Sequence, residues 1–360
     1  MRDIVTTSPQ SQEPQLNREA RVEIQPSQAS SKRRMPFAAK VLLLFVLSAG
    51  LTFGALAIKA GTTFNVVSAE LKEFLGIEVN RLPQGNPREA DRADILLLGL
   101  RGENDPHGGL LTDTMMVISI ETKREEVALI SVPRDTYVEI PVVEQRAKIN
   151  AAYAMGEEAQ ESGGGLVLAK LAVQEVLGIN IDHVIAVDFA AFEDTIDLLG
   201  GIDVDVAKSL RETQQWGGLD FYVPAGRQHM DGETALYYVR ARFTTSDFDR
   251  ARRQQEVILA VRDKALSLNF LGNPTKIVGM LDILGRHVRT DINGDDLRSL
   301  IGDVRKVTNK EPKQLVLDTT ELLYSTSVNG SYVLLPKGNT FETIRARARN
   351  IFEAVAPMEQ

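Results

Sequence analysis

From Asp94 onward the chain carries three short, nearly continuous apolar runs, over 95–98, 115–120 and 127–132. Such runs read as strands buried on both faces, and strands of that kind need a covering layer on each side. The covering elements are legible further on. Residues 166–177 have helical periodicity and stop at Gly178, which reads as a C-cap. A strand over 183–187, a helix over 189–199 halted by Gly200-Gly201, a strand over 202–206 and helices over 231–240 and 247–268 follow. Strands alternating with helices predict a layered α/β domain over 93–268. Beyond Gly272, a helix over 297–307, strands over 314–317 and 332–335 and a helix over 341–352 predict a smaller α+β extension spanning 269–360.

The chain ahead of this domain has a different character. Residues 1–35 are rich in Ser, Gln, Pro and charge, and such a segment buries too little to offset its ordering entropy. It is expected to be a disordered tail. Lys32, Arg33, Arg34 and Lys40 then precede an uncharged apolar run over 41–58. Its eighteen residues, at about 1.5 Å each, nearly cross a hydrocarbon core of about 30 Å. Residues 36–60 are therefore expected to form one transmembrane helix, an uncleaved anchor. A cleaved secretory signal, with Ala55-Leu56-Ala57 as its cleavage site, and a buried core helix are the alternatives. Basic residues ahead of the span put the N-terminus in the cytoplasm and the folded domain outside, at the cell membrane. Residues 61–92 read as an extracytoplasmic stalk with one short helical stretch, broken by Pro83, Gly85 and Pro87.

Several functions are excluded by composition. The sequence has no Cys, which removes disulfide scaffolds, thiol nucleophiles and thiolate metal sites. Its four His residues form no ligand-spaced pair. The net charge of −8 sharpens to −12 beyond residue 60, where 33 basic residues face 45 acidic ones. No nucleic-acid partner is expected for so acidic a domain.

Against that background, five arginines fall within fourteen residues: Arg240, Arg242, Arg250, Arg252 and Arg253. Ser246 or Asp247 can cap the helix that follows, which puts Arg250, Arg253, Gln254 and Val257 on one face. A helix N-terminus flanked by guanidiniums suits a phosphate or pyrophosphate, whereas a solvated charged helix is the bland alternative. A second constellation is Thr112-Asp113-Thr114, a carboxylate just ahead of a buried strand and able to hold Mg2+. The loop before it contributes Arg101, Glu103, Asp105 and His107. A third is Pro133-Arg134-Asp135, where proline ends a strand and presents an ion pair.

Taken together, these segments resemble the LytR–CpsA–Psr (LCP) family. The resemblance is carried by Leu96-Leu97-Leu98-Gly99, Thr112 to Met116, Ser131 to Asp135, Lys148 to Tyr153, and Val187-Asp188-Phe189 with Asp197 to Ile202. The most specific block runs from Ala235 to Arg242 and on through Asp247, Arg250 and Arg253-Gln254-Gln255. The resemblance implies an α/β/α layered domain with a mixed central sheet, and a membrane-anchored phosphotransferase that moves a glycopolymer from a polyprenyl-pyrophosphate carrier to a hydroxyl of peptidoglycan or another wall acceptor. It implies Asp113 as a Mg2+-associated carboxylate, with Mn2+ as the alternative ion, and Arg134, Arg240, Arg242, Arg250 and Gln254 as phosphate ligands. Arg253 is expected beside them, and Asp247 either assists deprotonation of the acceptor or caps its helix. The chain departs from the family at Leu100-Arg101 and Leu111; Asp105 is expected to supply the second metal carboxylate and Arg101 the missing positive charge. A lipid-pyrophosphate pyrophosphatase and a non-catalytic polyprenyl-phosphate or glycan binder are the competing readings. The apolar helices read as core or as the lining of a prenyl pocket, and Trp216 as a loop anchor or a sugar platform.

Overall fold

The computed structural model describes residues 91–353, apart from 103–108, 160–162, 216–217, 268–282 and scattered positions between 284 and 309. The expected tail and membrane span, and the expected stalk up to residue 90, lie outside the described residues, as do Asp105 and Trp216; Arg92, the last residue of the expected stalk, already opens the first strand. Among the described residues no helix is long and apolar enough to cross a membrane.

In chain order the elements are β1 (Arg92–Gly102), β2 (Gly109–Glu121), β3 (Glu126–Ser131), β4 (Tyr137–Ile140), β5 (Gln145–Lys148), α1 (Ala152–Ala159), α2 (Gly164–Leu177), β6 (His183–Val187), α3 (Phe189–Leu198) and β7 (Ile202–Val206). There follow β8 (Leu210–Glu212), β9 (Phe221–Val223), β10 (Gly226–Met230), α4 (Gly232–Arg240), α5 (Asp247–Ser267), β11 (Val288–Thr290), β12 (Lys313–Val316), β13 (Leu323–Val328), β14 (Ser331–Pro336) and α6 (Glu342–Arg349). The central sheet is mixed, in the order β11-β6-β1-β2-β3-β12. β1 runs parallel to β6 and antiparallel to β2, and β12 runs parallel to β3.

Alternation along the buried strands sorts their side chains into two cores. Ile95, Met116, Ile118, Ile120 and Leu129 face α3, α4 and α5. Leu96, Leu98, Met115, Val117 and Ile130 face α1 and α2, joined there by Ile344 and Ala348 of α6. The predicted α/β/α layering and mixed sheet are therefore present. The predicted helix ends are physical too: Gly178 stands in the left-handed region at φ 60°, as do Gly200 and Gly201 at 77° and 80°.

Two strands from the stretch expected to form an extension after residue 268 pair with the central sheet. β11 and β12 form the two outer strands of the same sheet, one on β6 and the other on β3. Gln255 of α5 ties this arrangement together, donating to the Ser131 hydroxyl at 2.8 Å and the Leu315 carbonyl at 3.3 Å. Each outer strand has only three or four residues, too few to announce which distant strand it joins.

Candidate active site

The upper rim of the sheet gathers the ends of β1, β3 and β6 with the start of β2. Asp113 lies four residues inside β2 and not ahead of it. The register passes from Gly99↔Thr114 to Leu100↔Thr112 and leaves Asp113 as an extra, unpaired residue. This is a bulge, which re-aims one side chain out of the alternation. Thr112 is buried against the Asn150 carbonyl, while Asp113 turns to the arginines. Gly99 is required opposite, because a Cβ there would come within 2.9 Å of Thr114 Cβ.

Five of the expected residues form one network. Arg134 Nη1 donates to Asp113 Oδ1 at 2.6 Å, and Arg101 Nε donates to Asp113 Oδ2 at 3.1 Å. Arg250 reaches in from α5, its Nη2 donating to the Asp113 carbonyl at 3.2 Å and to Asp247 Oδ2 at 2.8 Å. Asp247 Oδ2 also stands 3.5 Å from Arg134 Nε. Ser246, not Asp247, caps α5: Ser246 Oγ accepts from Asp249 N at 3.0 Å, and Asp249 Oδ2 accepts from Ser246 N at 3.1 Å. That reciprocal capping box leaves the Asp247 carboxylate to the arginines.

Charge state follows from these contacts. Burial by itself raises a carboxyl pKa, but Arg134, Arg250 and Arg101 outweigh it at Asp113, which is held below the usual range. Burial opposes charge on Arg134, yet Asp247 and Asp113 prevail and raise its pKa. For Arg250, burial and the neighbouring Arg134 win over the two carboxylates and lower its pKa.

Two adjoining clefts open above this network, sharing Asp113, Thr114, Arg134, Arg250 and Gln254. Arg240, its guanidinium 4.4 Å from the Phe189 ring centroid, and Arg242 line the larger one. Five guanidiniums thus face two carboxylates, Asp113 and Asp247, around the two cavities. Among the described residues the buried Nε atoms of Arg134 and Arg250 have no hydrogen-bond acceptor. An anion would satisfy both charge and geometry.

Arg253 is the expected residue that the fold takes elsewhere. Its Nε donates to the Tyr238 carbonyl at 2.9 Å and its Nη2 to the Ala241 carbonyl, so it caps the C-terminal end of α4. It lines neither cavity. Phe189, Gln215 and Val239 do line the larger one, and sequence reasoning gave them no role. Phe189 and Val239 fall within the quoted runs Val187-Asp188-Phe189 and Ala235 to Arg242, whereas nothing pointed toward Gln215. For a metal, Asp113 has both oxygens engaged by guanidiniums, and no group of three metal-ligating side chains converges among the described residues. Asp113 is the one carboxylate lining both cavities that would remain for a Mg2+ ion, shared with the phosphate oxygens of a ligand.

The layered α/β/α fold thus carries an arginine-lined cleft at the rim of its sheet. The chain belongs to the LytR_cpsA_psr family, whose model matches residues 63–350. One relative is the polyisoprenyl-teichoic acid–peptidoglycan teichoic acid transferase TagU of Oceanobacillus iheyensis, 33% identical over 281 residues, covering 76% of this chain and 82% of that protein. TagU of Enterococcus faecalis is 31% identical over 242 residues, covering 66% and 74%. The structure of B. subtilis TagV aligns with a TM-score of 0.56 at 27% identity, over 74% of this chain and 99% of that one. TagT bound to LI-WTA aligns equally well, at 0.56 and 27%, over 72% and 90%. These named relatives are transferases, and the chain is an enzyme of that class.

Proposed function

We propose that the protein is a membrane-anchored phosphotransferase that moves a glycopolymer from a polyprenyl-pyrophosphate carrier onto a hydroxyl of peptidoglycan or a similar wall acceptor. The observation that carries this reading is the surplus of guanidinium over carboxylate lining the cleft, with Arg250 Nε buried and without an acceptor among the described residues. Phosphoryl transfer asks a protein mainly for charge neutralisation and positioning, which such a cleft supplies. The names of the relatives, transferases of polyisoprenyl-linked teichoic acid to peptidoglycan, support the substrate class.

In this mechanism Arg101, Arg134, Arg240, Arg242, Arg250 and Gln254 hold the pyrophosphate. The acceptor hydroxyl oxygen forms a bond to the sugar-side phosphorus, and the bond from that phosphorus to the bridging oxygen breaks. Polyprenyl monophosphate leaves with the bridging electrons, stabilised by the guanidiniums. The hydroxyl proton passes to Asp247, freed for the task by the Ser246 cap. Mg2+, or Mn2+ in its place, would be held by Asp113 and by Asp105 as second carboxylate, and supplies further neutralisation of phosphate charge. A single span over 36–60, with a cytoplasmic N-terminus and the folded part outside, would bring the cleft to a lipid-linked carrier.

The test is direct. Full-length protein is incubated with a polyprenyl-pyrophosphate-linked oligosaccharide, Mg2+ and peptidoglycan fragments, and products are followed by mass spectrometry. A covalent sugar-phosphate adduct on the fragments is expected, lost in Arg250→Ala. Free sugar phosphate alone would make the protein a pyrophosphatase, and binding without either product would make it a carrier-binding protein.

A further inference from the structure

The β8–β9 hairpin takes no part in the phosphate chemistry above, yet it reaches the cleft. Glu212, at the end of β8, is fully buried. Its Oε2 accepts from the backbone N–H of Phe243 at 2.8 Å and from those of Arg242 and Thr244 at 3.3 Å each. Its Oε1 accepts from Gln214 N at 3.0 Å. A buried carboxylate persists only where its lone pairs are filled, and here two chain segments fill them. The carboxylate therefore fastens the hairpin to the segment carrying Arg242.

Gln215 follows directly and lines the larger cavity with Arg101, Arg240 and Arg242. Its Oε1 is buried and has no hydrogen-bond partner among the described residues. An amide oxygen only accepts. Neither an ionised pyrophosphate nor a prenyl chain offers it a proton, whereas a sugar offers hydroxyl and acetamido donors. With the amide turned round, its NH2 would face the cleft and a phosphate would serve it as well as a sugar. The guanidiniums already meet the phosphate's demand for donors, so the unpartnered amide oxygen is better matched to the group beyond the phosphate.

We infer that Gln215 contacts the first sugar of the carrier-linked glycan and determines specificity for it, with Glu212 as the positioning residue that holds the hairpin in place. This rests on the reading of the cleft as a pyrophosphate-linked glycan site. A site that hydrogen-bonds a substrate hydroxyl rejects analogues lacking it more strongly than shape alone allows.

The test uses full-length protein in detergent and two probes: polyprenyl pyrophosphate without a sugar, and the same carrier bearing one N-acetylhexosamine. Wild type is expected to bind both. Gln215→Leu should weaken binding of the sugar-bearing carrier about tenfold, the size of one hydrogen bond lost with its buried partner left unpaired, and keep the sugar-free carrier within about twofold. Arg250→Ala should weaken both. Equal loss on both carriers would make Gln215 a phosphate ligand and overturn the inference, and so would no loss on either. Gln215→Asn, which keeps an amide on a shorter arm, should recover part of the sugar preference; a thermal melt matching wild type is expected for all Gln215 variants, and a sugar preference lost only together with the melt would also overturn the inference. If wild type bound neither carrier, the transferase reading itself would fall, and this inference with it.

Discussion

Replacing Asp113 by Asn isolates the electrostatic design of the cleft. The carboxylate accepts from Arg134 at 2.6 Å and Arg101 at 3.1 Å, and Arg250 stands on its own carbonyl. Breaking a fully buried pair costs about 3–5 kcal/mol and an exposed one about 0–1. Here the Asp113 and Arg134 side chains are 19% and 15% exposed, and Arg134 keeps Asp247 at 3.5 Å and Asp135 at 3.6 Å. The expected loss is therefore about 2 kcal/mol. For a domain of this size that lowers Tm by about 4–8 °C. The same change removes the negative charge that competes with an anionic ligand. Inorganic pyrophosphate, with EDTA present, should then raise the Tm of Asp113→Asn by more than it raises that of wild type, as linkage requires for tighter binding. Differential scanning fluorimetry across a pyrophosphate titration reads both numbers. An unchanged apo Tm, or weaker stabilisation of the variant by pyrophosphate, would refute the account of Asp113 as the counterion of the cleft. Because the folded pKa of Asp113 is depressed, its contribution is present above the ordinary carboxylate range and lost as pH falls through the folded value. The gap between wild type and variant should accordingly hold steady from pH 8 to 5 and close only below about pH 4.

Other substitutions separate structure from chemistry. Arg253→Ala should cost about 3 kcal/mol by unfolding assay, because it leaves the carbonyls of Tyr238 and Ala241 uncapped in a buried setting. Arg242→Ala, by contrast, should leave Tm near wild type and weaken pyrophosphate binding in calorimetry. Glu212→Gln should destabilise by about 2 kcal/mol, since an NH2 group would face N–H donors; a rise in Tm would contradict the clamp. Glu256 has its pKa raised by burial, against the opposing pull of Tyr238 and Arg253. A raised carboxyl stabilises the fold while protonated, below its unfolded pKa, and that stability is lost as pH rises through the folded value. Glu256→Gln should therefore raise Tm at pH 7–8, with the gain shrinking as pH falls toward 5 in melts run at each pH.

The layered fold is legible along the chain, because nearly continuous apolar runs such as 115–120 can only be buried on both faces. The sequence also determined the ends of α2 and α3, since Gly178, Gly200 and Gly201 adopt a backbone conformation that other residues resist. Within the cleft it singled out Asp113, Arg134 and Arg250 as charges lodged between buried segments. Local pattern carries no information about partners a hundred residues away, and tertiary structure decided everything of that kind. Arg250 and Arg253 share one helical face, yet only Arg250 meets Asp113; Arg253 meets the carbonyls at the end of α4. β11 and β12 are too short to declare their pairing and were placed by the open edges of β6 and β3. The bulge that aims Asp113 exists only in the register of two strands, and the hairpin that brings Gln215 to the arginines is held by a glutamate bonding to backbone some thirty residues later. Burial and periodicity are written along the chain, whereas hydrogen-bond satisfaction is settled only when distant segments meet.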